Sequence, residues 1–201
     1  KYQGKPLIWP IPNKCTWHEG YFICYNDISY YCDDDFIEEL QITLPAFKAA
    51  GINLVNKDES GRVKIVKSSA ESDSGFYNYN IGFSSHIANR DGNGRMKNKD
   101  GEGYAINVTP ENIIVEAKTK KGIFYALQTL IQLIENSDAA EELSNDNEKR
   151  MIPCVSIIDW PFKTVRGVHL YIPPREHLQW FKRYVDFLAK YKYNTIFLEV
   201  S

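Results

Sequence analysis

The chain has 201 residues, room for one large domain or a medium domain with an appendage. Its 43% hydrophobic content is ample for a packed core, and a net charge of −2 leaves no electrostatic case for nucleic acid or an anionic membrane as partner. No apolar run approaches the ~18 residues that a membrane helix needs.

In chain order, Leu7 to Ile11 is apolar but interrupted by Pro10 and Pro12, which predicts an edge strand or lead-in. Tyr21 to Tyr25 reads as a central strand. Asp33-Asp34-Asp35 offers helix-capping carboxylates ahead of a stripe formed by Phe36, Ile37, Leu40, Leu44 and Phe47 and ended by Gly51. Pro45 inside that stripe predicts a kink or break near Gln41 to Leu44. Arg62 to Lys67 and Tyr77 to Phe83 read as strands, with a polar stretch from Asn89 to Asp100 after them. Tyr104 to Val108 and Ile113 to Ala117, joined by Pro110-Glu111-Asn112, predict a hairpin.

The clearest helix follows, with Ile123, Leu127, Leu130, Ile131 and Ile134 on one face. Ser137 to Arg150 is charged and reads as a surface loop or linker. Beyond it, Gly167 to Ile172 is a strand closed by Pro173-Pro174. Leu178, Phe181, Val185, Leu188 and Tyr191 then make a helical stripe, and Thr195 to Val200 is an apolar, partly β-branched run suited to a parallel sheet. Strand, helix and strand make one βαβ unit. The expected organisation is an α+β domain over 1–150, a mixed sheet with helices packed on one face, and a parallel α/β piece over 151–201.

Cys15, Cys24, Cys32 and Cys154 lack zinc-site spacing and are expected to be free buried thiols. His18, His86, His169 and His177 are scattered and read as packing or surface residues. Asn89, Asp91, Asn93, Gly94 and Asp100 mimic a calcium loop. Arg90, Arg95, Lys97 and Lys99 repel a cation there, and Asp stands where the bidentate Glu belongs, so no metal is expected. Asn107-Val108-Thr109 is a glycosylation sequon.

Four motifs in sequence carry a resemblance. Asp159-Trp160-Pro161-Phe162-Lys163-Thr164-Val165-Arg166-Gly167-Val168-His169-Leu170 resembles the opening of the catalytic barrel of glycoside hydrolase family 20, the β-N-acetylhexosaminidases. The run from Phe181 to Thr195 resembles that family's first barrel helix and its Tyr-Lys-x-Asn-Thr turn. Glu102-Gly103-Tyr104 and the run Gly122 to Leu133 resemble the two signatures of the accessory domain before the barrel. The resemblance implies an accessory domain followed by the first βαβ portion of a (β/α)8 barrel. Such a barrel needs at least ~200 residues, and 35 follow Arg166, so an unfinished barrel is expected.

The implied activity is removal of terminal N-acetylhexosamines from glycans without metal or organic cofactor. In this scheme the substrate's own 2-acetamido oxygen attacks the anomeric carbon, an Asp orients it and a neighbouring Glu protonates the leaving oxygen. That Asp-Glu pair belongs to a later barrel strand. Asp58-Glu59 stands in a polar loop and is not it, so this chain alone is expected to be inactive. The resemblance assigns Arg166 to sugar hydroxyls, a task suited to a planar fork of donors; its competing role is an interdomain ion pair, with Asp159 as the candidate partner. Glu199, at the end of the second barrel-like strand, is a second candidate for a sugar hydroxyl, or else caps a loop. The sequence departs from the family at Leu170-Tyr171, where Leu-Asp is usual, and at Phe197-Leu198-Glu199-Val200, where His-x-His-Leu is usual. A non-catalytic carbohydrate-binding or interaction module is the alternative. Residue 1 is Lys, so a processed or engineered start is expected, which hides the compartment. An extracellular or periplasmic location is the expectation for the parent protein, and self-association through an unfinished barrel is expected of this chain.

Overall fold

The computed structural model describes residues 5–68, 101–139 and 149–200. The chain divides into two compact units, Lys1–Pro161 and Phe162–Ser201.

The first unit is one mixed sheet with two helices. Its strands are β1 (Lys14–Tyr25), β2 (Asp27–Cys32), β3 (Asn53–Asn56), β4 (Val63–Lys67), β5 (Tyr104–Val108), β6 (Ile113–Ala117), β7 (Asp138–Ala139) and β8 (Lys149–Asp159). They lie in the order β1-β8-β5-β6-β4-β2-β3, with β7 paired to β8. The β1–β8, β8–β5 and β5–β6 pairs are antiparallel, whereas β6–β4, β4–β2 and β2–β3 are parallel. The expected hairpin is present: Thr109 N–H donates to the Asn112 carbonyl, and the Thr109 hydroxyl accepts from the amides of Glu111 and Asn112.

Strand periodicity sends Tyr104, Ile106 and Val108, Ile113 and Val115, Val63 and Ile65, and Ile157 into one core with α1 (Ile37–Ala49) and α2 (Lys120–Glu135). Ala105 and Ile158 form a smaller cluster with Trp160 instead. Helix α2 is the centre of the unit. The sequence shows an apolar stripe, yet every residue from Gly122 to Ile134 except Phe124 is buried. The polar residues inside it have partners. The Tyr104 hydroxyl bonds to Thr129 Oγ1 and donates to Asp159 Oδ2 at 2.9 Å. Gln132 Oε1 and Nε2 take the Trp9 N–H and carbonyl, both at 2.8 Å, and Asn136 Nδ2 donates to the Leu7 carbonyl. Asp159 Oδ1 accepts from the backbone and side chain of Asn13. The segment from Leu7 to Asn13 is therefore strapped down by side chains, and it is a lead-in rather than an edge strand.

Several sequence expectations are corrected. β1 lies at a sheet edge, not in the centre; its buried Phe22 and Cys24 alternate with exposed Tyr21, Ile23 and Tyr25. α1 runs through Pro45 without a break. Gln41, whose carbonyl Pro45 cannot satisfy, and Pro45 itself are both exposed residues, on the side of the helix open to water. Asp33 makes no side-chain cap; its carboxylate accepts from the Lys67 amide at 2.7 Å. Asp35 and Glu38 pair with Lys67 and Lys120, and those ammonium groups hold both carboxyls below the usual range. The parallel strands β2 and β3 are too short and mixed for a periodicity signal. The expected boundary at 150 moves to Pro161, because β8 pairs with both β1 and β5 and belongs to the first sheet. The expected strand at Tyr77 to Phe83 and the calcium-like stretch lie outside the described residues.

The second unit is the expected βαβ element. β9 (Gly167–Tyr171) and β10 (Thr195–Glu199) are parallel, with Thr195 beside Gly167 and Glu199 beside Tyr171, and α3 (Leu178–Lys190) connects them.

Gly122 sits where α2 meets the strand before it. A Cβ there would come within 2.6 Å of the Gly103 carbonyl oxygen and 2.8 Å of the Ala117 Cβ. Gly122→Ala is expected to cost about 1–3 kcal/mol of stability through overpacking, measured by chemical denaturation. The four cysteines are free thiols, as expected, but only Cys24 and Cys154 are fully buried, and Cys15 and Cys32 are half-buried. Burial pushes Cys15 up to about 11 and Cys24 and Cys32 up to about 12. Thiolate is then roughly a thousandth or less of each at pH 8. Alkylation of these three in the native protein at pH 8 is expected to be far slower than in urea; equal rates would contradict the burial.

Candidate functional site

Arg166 is the leading sequence candidate. It precedes β9 and is half-buried. Its Nε donates to the Lys192 carbonyl and its Nη1 to the Lys163 carbonyl, both at 2.7 Å. Its backbone is held as well: Arg166 N–H donates to Asn194 Oδ1 at 2.9 Å, and its carbonyl accepts from the amides of Asn194 and Thr195. Asn194 Nδ2 donates to the Thr164 carbonyl. These bonds have a local cause. Lys192 has a φ of 64° without being glycine, a conformation that costs about 1–3 kcal/mol and persists when its surroundings hold it. Arg166 and Asn194 tie this turn to the segment before β9.

Glu199 lies at the other end. In the parallel register it is level with Tyr171, five positions beyond Arg166, about 16 Å at ~3.3 Å per residue. The two candidates are therefore not brought together by this unit. Arg166 anchors the amino ends of the strands, and Glu199 stands at their carboxyl ends, where parallel sheets place ligands.

Beside Glu199 the structure places His169, which the sequence reading gave as a packing or surface residue; it is on the surface of this unit. His169 Nε2 lies 3.0 Å from Glu199 Oε2, with the two side chains 62% and 47% exposed. The His169 and Tyr171 rings are 6.2 Å apart. His169, Tyr171, Phe197 and Glu199 share one face, because alternate residues of β9 and β10 point the same way. The usable signal was that parity, once strand register was known.

Other polar groups resolve into structural roles. Asp58 Oδ1 accepts from the Ser60 amide and hydroxyl, bonds that lower its pKa, so Asp58-Glu59 shapes a turn. On the sheet, His18 Nε2 is 2.8 Å from Ser156 Oγ, which donates to Asn107 Oδ1 at 2.9 Å. The Ser156 proton is thus committed to Asn107, and His18 serves as donor rather than base. Asn107, 5% exposed and bonded in β5, is not presented as a glycan acceptor. Among the described residues no group of three or more His, Cys, Asp or Glu is placed to hold a metal. None of the described helices is long and apolar enough to cross a membrane.

The family model described as glycosyl hydrolase family 20, domain 2, matches residues 5–160. The chain belongs to glycosyl hydrolase family 20. The matched stretch coincides with the first unit, ending one residue before Pro161. Among solved structures, the fold is similar to a family 20 exo-β-N-acetylglucosaminidase from Vibrio harveyi in complex with N-acetylglucosamine, at 20% identity and TM-score 0.68, covering 98% of this chain and 25% of that one. It is also similar to a β-N-acetylhexosaminidase from Bacteroides fragilis, at 22% identity and TM-score 0.64, covering 96% and 32%. A mutant β-hexosaminidase from Streptomyces plicatus in complex with its product GlcNAc shares 19% identity at TM-score 0.66, covering 96% and 34%. The chain thus spans about a quarter to a third of the length of these family 20 and hexosaminidase structures.

The hydrogen bonds of Arg166 predict a measurable role without any sugar. Arg166→Ala and Asn194→Ala are each expected to cost about 1–3 kcal/mol and to speed amide exchange at Lys192 to Thr195, with Arg166→Lys failing to rescue. Unchanged exchange in all three would contradict the clamp.

Proposed function

We propose that this chain is the accessory domain and first βαβ element of a glycosidase whose catalytic domain is a (β/α)8 barrel. The supporting observation is a family 20 accessory domain followed at once in the chain by a right-sized parallel strand–helix–strand element. Exposed apolar side chains of that element, Trp180, Phe187, Phe197 and Leu198, are what further barrel strands and helices would cover.

In this reading the whole protein removes terminal N-acetylhexosamines with retention. The acetamido oxygen of the substrate is the nucleophile, and an Asp-Glu pair on a later strand orients it and protonates the leaving oxygen. Arg166 and Glu199 are the candidate sugar-binding residues of this chain. Glu199 is the better placed of the two, because Arg166 already spends two donors on backbone carbonyls. A second reading, a non-catalytic carbohydrate-binding or interaction module, is favoured by one observation. Tyr171 and Glu199 occupy positions where the family usually has Asp and His.

The test is hydrolysis of a chromogenic N-acetyl-β-hexosaminide by the full-length protein and by this chain side by side. Turnover by the full-length protein and none by the chain is the expected result. Turnover by the chain would overturn the assignment of the catalytic pair to a later strand, and glycan binding without turnover by the full-length protein would favour the second reading.

A further inference from the structure

Tyr21, Ile23 and Tyr25 form an apolar row that the packing of the first unit does not use. They alternate along β1 with the buried Phe22 and Cys24 and stand 47%, 42% and 49% exposed on the opposite face. Single exposed apolar residues need no account, whereas three in a row on one strand face make a patch. The backbone beneath them is held on both sides. β8 sets Pro153 beside Tyr21 and Met151 beside Ile23. Arg62 Nη1 donates to the Ile23 carbonyl at 3.1 Å, while Nε and Nη2 reach the carbonyls of Glu111 and Pro110 at 3.2 and 3.4 Å. The guanidinium also lies 4.1 Å over the Phe22 ring. Arg62 therefore occupies the carbonyl that a further strand would need at Ile23, and the row offers side chains rather than a sheet edge.

Size and charge select the occupant. Three large side chains, each about half exposed, offer roughly 300 Å² together, against about 800 Å² that each partner contributes to a stable protein interface. The row is too small for a second copy or a folded partner, and of the size for a small ligand. No charged residue lies between Tyr21 and Tyr25, so nothing in the row answers an anionic polymer or a charged peptide. Tyrosine supplies rigid apolar ring surface with a hydroxyl at its rim. That is the complement of a pyranose, whose carbon–hydrogen face is apolar and whose edge carries hydroxyls. Tyr21 and Tyr25 are four positions apart, about 13 Å along the strand, which is longer than one pyranose ring.

We propose that Tyr21, Ile23 and Tyr25 are a binding strip for a neutral oligosaccharide of more than one sugar, with pyranose rings lying against the two tyrosines. The ligand class rests on the glycosidase reading, and the strip itself on the packing of β1. The consequence is a substrate class. The whole protein holds the body of a neutral glycan chain through its first unit, so long glycans bind it better than single sugars do.

The experiment measures the affinity of the full-length protein for insoluble chitin, a neutral β-linked polymer of N-acetylglucosamine, from the fraction left in solution. Tyr21→Ala and Tyr25→Ala are each expected to weaken binding about fivefold, the loss of one aromatic contact, and the double variant more than either. Tyr21→Phe and Tyr25→Phe, which keep the ring, should stay within about twofold of the natural protein. Tyr21→Leu and Tyr25→Leu keep apolar bulk without a ring and should bind as weakly as the alanine variants; this pair carries the test if alanine disturbs folding. Chitin binding that is equal in the natural protein and the leucine double variant, or absent in the natural protein, overturns the inference. So does self-association of the natural protein, seen by sedimentation, that these substitutions abolish while chitin binding stays unchanged. The chromogenic hexosaminide tests the glycosidase reading separately. Chitin binding that falls in the leucine variants, without turnover by the natural protein, leaves the strip standing and removes the reading; turnover with chitin binding unaffected by the variants does the reverse.

Discussion

The near-complete burial of α2 is the constraint on which the first unit depends. A helix enclosed on all sides must meet its neighbours at backbone distance somewhere, and it does so at Gly122, against the Gly103 carbonyl. It must also find partners for every polar group that it carries inward, since an unpaired buried donor or acceptor costs about 1–3 kcal/mol. Thr119 caps its first turn, accepting from the Gly122 amide and donating to the Gly101 carbonyl. Thr129 and Gln132 reach across to Tyr104 and the backbone of Trp9. Burial and the Asp159 carboxylate push the Tyr104 hydroxyl well above its ordinary pKa, so it remains a donor. One helix thereby ties together the lead-in segment, the central strand β5 and the end of β8.

The second unit depends on a smaller knot. Lys192 turns the chain into β10 through a left-handed conformation, and the bonds from Arg166 and Asn194 make that turn and the start of β9 a single piece. The two barrel-like motifs of the sequence are hence two halves of one hydrogen-bonded corner, just as the two accessory motifs meet at Gly122 and Gly103. Each pair of signatures records a contact rather than a catalytic group. That is why they identify the fold so well.

The two ends of the strands differ accordingly. The amino ends of β9 and β10 are consumed in holding the unit together, and their carboxyl ends present His169, Tyr171, Phe197 and Glu199 on one face. A scaffold of this kind lets the residues at the open end vary without touching the corner that keeps the strands in register.

The helices and the βαβ order were legible in the residues themselves, because Ile123 to Ile134 and Leu178 to Tyr191 repeat at helical spacing and Thr195 to Glu199 is a β-branched apolar run. The hairpin at Thr109 to Asn112 was legible for a similar local reason. What remained hidden depends on partners distant in the chain. Lys149 to Asp159 joins the first sheet because β1 and β5 pair with it, and nothing within those residues says so. Helix α1 runs through Pro45, and both Pro45 and Gln41 lie on its exposed side, a matter of orientation. Arg166 and Glu199 are separated, and His169 and Glu199 joined, by the register of two strands whose sequences are 23 residues apart between Tyr171 and Thr195. Local periodicity is written in the order of residues; register, burial on a second side and the pairing of charges arise only when separate segments pack.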